Sequence, residues 1–316
     1  MTVTITQFGG HTSSFAGDCA VVQIEDNSGT HIVIIDTGDT VIWANSSALA
    51  KYVRSLTTFK NATITLVTTH FHRDHYNKQI VESFRIDEIS EHVYSKSAAT
   101  AANFFPSSGI KRCPLNAGAT TVTIGSTASL TYYVPPMGRK PDDQNDLSMA
   151  VRVDSRHFSF LSFGDMTKEA YIRLVEHLGA PLQSATVTKY PHHGNFSANY
   201  IEYYERNLFG TGVLISGNSL SDVKKTINTL LERKVGAVYC LAGTDAAKQA
   251  FRDCWTTPNR PVYLTEGALV KEGGVSVIDN KAEYLTIVDK SMGTRSRKLD
   301  SWERVQEVWT EEGMEG

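Results

Sequence analysis

Three histidines and an aspartate fall within six consecutive residues, His70-Phe71-His72-Arg73-Asp74-His75. They follow an apolar run, Ile64 to Val67, that reads as a buried β-strand. In extended backbone, residues two apart point the same way, so His70 and His72 can face one cation together. A helix beginning near Asp74 would put Asp74 and His75 in its first turn, directed at a second cation. Neutral imidazole and carboxylate are good ligands for zinc and similar divalent ions. Four candidate ligands immediately after a strand point to a metal site rather than to scattered core or surface histidines.

The rest of the chain interleaves strands and helices, as in sheets covered by helices. Strands are expected at Val3 to Gln7, Ala20 to Ile24 and His31 to Ile35, the last two joined by the turn Asp26-Asn27-Ser28-Gly29. Helical spacing of Leu49, Tyr52, Val53 and Leu56 predicts a helix after Asn45, and Ile80, Val81 and Phe84 predict a short one after Asp74. Further strands are expected at Thr120 to Ile124, Leu130 to Val134, Met149 to Val153, Phe158 to Phe163, Ala185 to Lys189, Val213 to Ser216, Val238 to Cys240 and Pro261 to Leu264. Helices are expected near Thr167 and Ser197, and over Val223, Ile227, Leu230 and Leu231. No linker divides the chain. It reads as one domain over 1–289, with a polar tail or terminal helix over 290–316.

The 316 residues carry 21% charged and 41% hydrophobic side chains, enough for a large core. The formal net charge of −3 supplies no basic excess to neutralise a nucleic-acid backbone, although a phosphate held at a metal stays compatible with it. Cys19, Cys113, Cys240 and Cys254 form no CxxC pair, which suits free thiols in a reducing compartment. The N-terminus lacks a basic region followed by an apolar run, and no stretch nears the roughly 18 apolar residues of a membrane helix. A soluble cytoplasmic protein with no membrane contact is the expectation; the oligomeric state is open.

His-x-His-x-Asp-His after a strand resembles the signature of the metallo-β-lactamase superfamily. Other segments match its pattern in the same order: Asp36-Thr37-Gly38, Phe163-Gly164-Asp165 and Tyr190-Pro191-His192-His193-Gly194. Gly17-Asp18, Asn145-Asp146-Leu147-Ser148 and Ser216-Gly217-Asn218 resemble the branch that holds the hydrolase domain of the competence protein ComEC and its stand-alone relatives. The resemblance runs over roughly residues 3 to 245. The chain departs from the pattern at Gln144 to Ser148, which lacks the histidine most of the superfamily carries there. Asn195 follows His-His-Gly where the branch has serine, and Ser219-Leu220-Ser221-Asp222 replaces its His-Pro.

The resemblance implies an α/β fold, an αββα sandwich of two mixed sheets flanked by helices. It also implies two divalent ions, zinc by default, with manganese or iron as alternatives. His70 and His72 would bind the first ion, with water or Asn145 filling the place of the missing histidine. Asp74 and His75 would bind the second, and Asp165 would bridge. His192, first after its strand, would complete the second site, leaving His193 as a proton or hydrogen-bond donor to substrate; on sequence alone the two can exchange roles. Asp36 would orient a ligand histidine. A metal-bound hydroxide would be the nucleophile, with Asp74 orienting it and accepting its proton. Two metals about 4 Å apart suit displacement at phosphorus, so a phosphoester or phosphodiester leads. A lactone, thioester or β-lactam carbonyl is the alternative on the same site. A non-catalytic metal-binding partner protein is a third reading.

Overall fold

The computed structural model describes residues 2–11, 16–38, 48–56, 60–92, 110–126, 128–138, 143–155, 159–195, 209–215, 225–226, 229–230, 237–240, 262–264, 270–272, 275–277 and 284–289. The strands, in chain order, are β1 (Thr2–His11), β2 (Ala16–Asp26), β3 (Gly29–Ile35), β4 (Thr63–Thr68), β5 (Glu88–His92), β6 (Lys111–Leu115), β7 (Gly118–Ile124), β8 (Ala128–Val134), β9 (Ala150–Asp154), β10 (Ser159–Ser162), β11 (Ala185–Lys189), β12 (Phe209–Ile215), β13 (Ala237–Cys240), β14 (Val262–Leu264), β15 (Val270–Glu272), β16 (Val275–Val277) and β17 (Tyr284–Asp289). The α-helices whose bounds lie among the described residues are α1 (Ala48–Ser55), α2 (Lys78–Val81) and α3 (Lys168–Leu178).

A strand whose two faces are both covered must be apolar at every position, and side-chain alternation then decides which layer each residue joins. In β3, Val33 and Ile35 enter one buried cluster while Ile32 and Ile34 enter another. The first cluster also takes Val22 and Val67 from its own sheet, and Leu130, Val151 and Phe160 from the opposite one. It is the filling between two sheets. The second adds Leu49 and Val53 of α1 and Ile80 and Val81 of α2, covering the first sheet's outer face. On the far side, Ala170, Tyr171 and Leu174 of α3 pack on Ala150 and Leu161. The layers are therefore helix, sheet, sheet, helix, the α/β sandwich expected from the sequence.

The first sheet has the order β17-β1-β2-β3-β4-β5-β6 and the second β14-β13-β12-β11-β10-β9-β8-β7. Both are mixed: β3 to β6 run parallel and β17 to β3 antiparallel. In the second sheet β10 to β14 run parallel and β7 to β10 antiparallel. The parallel strands β3, β4, β10 and β11 all end next to the residues singled out above. No described helix is long and apolar enough to cross a membrane.

Two differences from the sequence pattern have physical causes. β5 and β6 carry too few apolar residues to announce themselves; buried Glu91 is instead ion-paired to Arg112 of the neighbouring strand. α2 starts at Lys78, not near Asp74, because Asn77 caps it by accepting from the Gln79 and Ile80 amides. Asp74 and His75 therefore lie in a separate turn, closed by the His75 and Tyr76 amides donating to His72 O at 3.0 and 2.8 Å. β15 to β17 lie beyond the last strand the pattern predicts. Cys19 and Cys113 are free thiols. The helix expected near Ser197, Cys254 and the 290–316 tail lie outside the described residues, as do most of the 223–231 helix positions.

Phe160 is fully buried between the sheets. Phe160→Ala is expected to cost about 3–5 kcal/mol of unfolding free energy, read from urea denaturation, because it empties the seam both sheets share.

Candidate metal centre

β3 ends at Ile35, and the chain turns at Asp36 with a φ of +59°, unusual for a residue with a Cβ. The Asp36 carboxylate accepts from Thr69 N and Thr69 Oγ1, both at 2.7 Å, and its Oδ2 lies 2.8 Å from His75 Nδ1. The Asp36 amide donates to Val67 O and the Thr37 amide to His75 O, each at 2.8 Å. The Asp-Thr-Gly turn thus fastens the histidine loop at both ends. His70 is fully buried and the His70 and His72 rings meet edge to face at 4.8 Å.

Asp165 arrives from the other sheet. It follows β10 through Gly164, whose φ is +53°. A Cβ on Gly164 would lie 2.5 Å from both Ser148 Oγ and Thr69 Oγ1. The tightness is purposeful: Ser148 Oγ accepts from the Asp165 amide at 3.0 Å. Asp165 Oδ1 lies 3.1 Å from His75 Nε2, and its Oδ2 lies 3.3 Å from His193 Nε2, 3.8 Å from His192 Nε2 and 4.0 Å from His70 Nε2. The two neighbouring histidines after β11 sit at φ +49° and +55°. Their turn is held by the His192 amide donating to Gly164 O at 3.0 Å and the Asn195 amide donating to His192 O at 2.7 Å. Among the described residues, these two and Asp36 are the non-glycine positions with positive φ. Such strain persists where surrounding contacts over-determine it, commonly at functional sites.

Two ligand groups result. His70, His72 and Asp165 form one; Asp18, His75, Asp165 and His193 form the other, with the ligand atoms in each within 4.8 Å of one another. Asp74 Oδ2 lies 3.1 Å from His193 Nε2, beside the second group. His70 Nε2 is buried and has no hydrogen-bond partner among the described residues, an orphan that a metal ion would satisfy. Burial, reinforced by the charge of His75, holds the His70 imidazole well below its usual pKa, in the neutral form that ligates.

The second group is rich in carboxylates. Burial would lower the His75 pKa, but Asp165 and Asp36 outweigh it and push it to about 10. His193 is likewise held well above the usual value, with Asp165 and Asp18 overcoming burial. Burial would raise the carboxyl of Asp165, yet His193 and His75 hold it well below the usual range. Asp18 is lowered as well, by Lys189 and His193 against burial. Buried carboxylates converging on a few imidazoles require positive charge at their centre, and a divalent cation is suited to supply it. The donor set therefore fits metal ions.

The structure brings His70, His72, His75, Asp165 and His193 together, with Asp74 reached through His193. His192 lies further out, its side chain 29% exposed. Sequence reasoning missed Asp18 as a participant, although Gly17-Asp18 stood out as a motif. It also missed Lys189, Thr69 and Ser148, whose roles depend on contacts between distant segments. The stretch expected to hold the missing histidine forms a short 3-10 turn, Asn145–Leu147, that leads to Ser148.

Gly164 and Gly179 both adopt positive φ, but nothing lies within 4 Å of a Cβ built on Gly179. Gly179→Ala is expected to cost about 1–2 kcal/mol, the left-handed penalty alone. Gly164→Ala is expected to cost clearly more and to lower zinc stoichiometry. Urea denaturation and elemental analysis of the two variants check this.

No family model matches the chain, and no curated protein matches it by sequence. Among solved structures, it is similar to a metal-dependent hydrolase of the β-lactamase superfamily, Tm1679, with 12% identity and a TM-score of 0.46, over 93% of this chain and 100% of that one. It is also similar to a diphosphatase from the PhnP family, with 11% identity and a TM-score of 0.44, over 91% and 98%. A protein of unknown function from Enterococcus faecalis V583 is similar with 12% identity and a TM-score of 0.40, over 80% of this chain; this chain spans only 63% of that protein's length. At these values the likeness carries no activity to this chain.

Proposed function

We propose that the chain is a metal-dependent hydrolase of the metallo-β-lactamase superfamily, using two divalent ions, zinc or alternatively manganese or iron, on a phosphoester or phosphodiester. The observation that carries the proposal is Asp165: one buried carboxylate shared by two histidine-bearing ligand groups. His70 and His72 with Asp165 would hold the first ion. His75, Asp74, Asp165 and one of the paired histidines would hold the second. We assign that place to His193, whose Nε2 lies 3.3 Å from Asp165 Oδ2 and 3.1 Å from Asp74 Oδ2. His192, 3.8 Å from Asp165 and partly exposed, takes the substrate-facing role. This exchanges the roles that order along the chain favours.

When bound, such ions supply Lewis acidity and an acidified water. The chain's own residues do the rest. Asp74, its side chain 35% exposed, reaches towards solvent and can accept a proton at Oδ1, while Oδ2, beside His193 Nε2, faces the place of the second ion. The His192 ring donates a hydrogen bond to the negative charge that develops on the substrate. Asp36 keeps His75 Nε2 directed at Asp165. A pair of ligand groups sharing one carboxylate supports phosphorus over carbon, since in-line displacement needs both the attacking and the leaving oxygen stabilised.

Elemental analysis is expected to find two metals per chain, and a chelator is expected to abolish turnover of bis-p-nitrophenyl phosphate until zinc or manganese is restored. Asp165→Ala should lose both metal and turnover. Activity on a lactone or nitrocefin alone would move the substrate to the carbonyl class. At most one metal with no turnover on any of the three would leave a binding protein.

The histidine assignment has a separate check. His192→Ala is expected to keep two metals and lose about 100-fold in kcat. His193→Ala is expected to lose the second metal.

A further inference from the structure

We propose that Lys189 is a positioning residue of the metal centre: its ammonium fixes Asp18 so that Asp18 accepts from His193 Nδ1, leaving His193 Nε2 as the ligand atom. The inference rests on the two-metal reading above and gives it a definite inner architecture.

A lysine is almost never fully buried unless it is paired. Lys189, the last residue of β11, has a side chain only 1% exposed, and it stands beside a centre built for cations. Another positive charge there opposes metal binding unless it is neutralised. Its partner is Asp18 of β2, the strand next to β3, and Nζ also donates to Gly164 O at 3.3 Å. One ammonium therefore joins three segments: β2, the turn carrying Asp165, and the end of β11.

Pairing with Lys189 changes what Asp18 can do. With its charge already matched, Asp18 adds little net attraction for an ion, and its Oδ2 lies 3.1 Å from His193 Nδ1. The same arrangement stands across the centre, where Asp36 Oδ2 lies 2.8 Å from His75 Nδ1. In each pair the carboxylate backs one ring nitrogen and the other nitrogen faces Asp165, at 3.1 Å from His75 and 3.3 Å from His193. A carboxylate behind a ligand histidine fixes its tautomer and raises its basicity. The supports differ. Thr69 holds Asp36 with neutral donors, whereas Asp18 is held by a charge. Lys189 also holds the peptide oxygen just before Asp165, so the orientation of His193 and the position of Asp165 are set by the same group.

The test is zinc affinity, read by competition with a chromophoric chelator, together with the histidine tautomers of the zinc-loaded wild type, read from long-range proton–nitrogen NMR spectra. In the wild type, His193 is expected to carry its proton on Nδ1 and its metal on Nε2. Asp18→Asn is expected to weaken the second zinc by about 10–100-fold while leaving the first unchanged, and Lys189→Met to weaken the second by at least as much. Lys189→Met/Asp18→Asn, which leaves no buried charge unpaired, is expected to melt higher than Lys189→Met yet bind the second zinc no better than either single variant. If Lys189→Met does not fold, the double variant supplies the same affinity readout. Wild-type affinity for both zincs in Asp18→Asn or the double variant would overturn the proposal, as would His193 bound through Nδ1. A wild type that takes up no zinc would instead sink the two-metal reading itself.

Discussion

The buried carboxylate of Asp165 is the point at which the two sheets meet chemically. Most of the contact between them is apolar and non-directional; Asp165 adds directional contacts that fix how they meet. Its two oxygens face His75 from the first sheet and His193 from the second, at hydrogen-bonding distance. A charge buried at this depth is stable only if every neighbour is in place. The turns around it are shaped accordingly: a glycine with no room for a side chain before it, a serine oxygen on its amide, and left-handed backbone at Asp36, His192 and His193.

The apolar core provides the rigidity this requires. Strands buried on both faces send alternate residues into separate layers, so β3 belongs to both cores at once. Its end is therefore a poor place for motion and a good place for Asp36. The ends of β4, β10 and β11 share that property. The site draws its parts from the ends of parallel strands in both sheets, where the scaffold is stiff and the backbone is free to turn.

Much of this was legible in the sequence because the information was local. His70 to His75 carries its candidate ligands within one turn of chain, and the Asp-Thr-Gly, Gly-Asp and His-His-Gly segments each sit after an apolar run. The layered α/β architecture follows from the same runs. What was hidden depended on residues far apart in the chain. Lys189 reads as the polar end of a strand until Asp18, contributed by β2, is seen against it. Glu91 reads as a surface residue until Arg112 of the next strand pairs with it. The start of α2 turned on Asn77, a cap whose pull outweighed the acidic residue three positions earlier. The order of His192 and His193 along the chain says nothing about which ring turns inward, because both residues adopt backbone angles that sequence rules do not anticipate.

The first sheet is ordered with β17 outside β1, antiparallel from Val3↔Asp289 to Phe8↔Tyr284. On a ribosome, β1 is made before the second sheet and its outer neighbour after most of it. Its outer row of amides and carbonyls must wait, unpaired, while the second sheet is synthesised. Contacts of such long sequence separation slow folding, and an open strand edge invites pairing with the wrong chain. The histidine loop and Asp36 are already available at that stage, whereas Asp165 and His193 come from the second sheet.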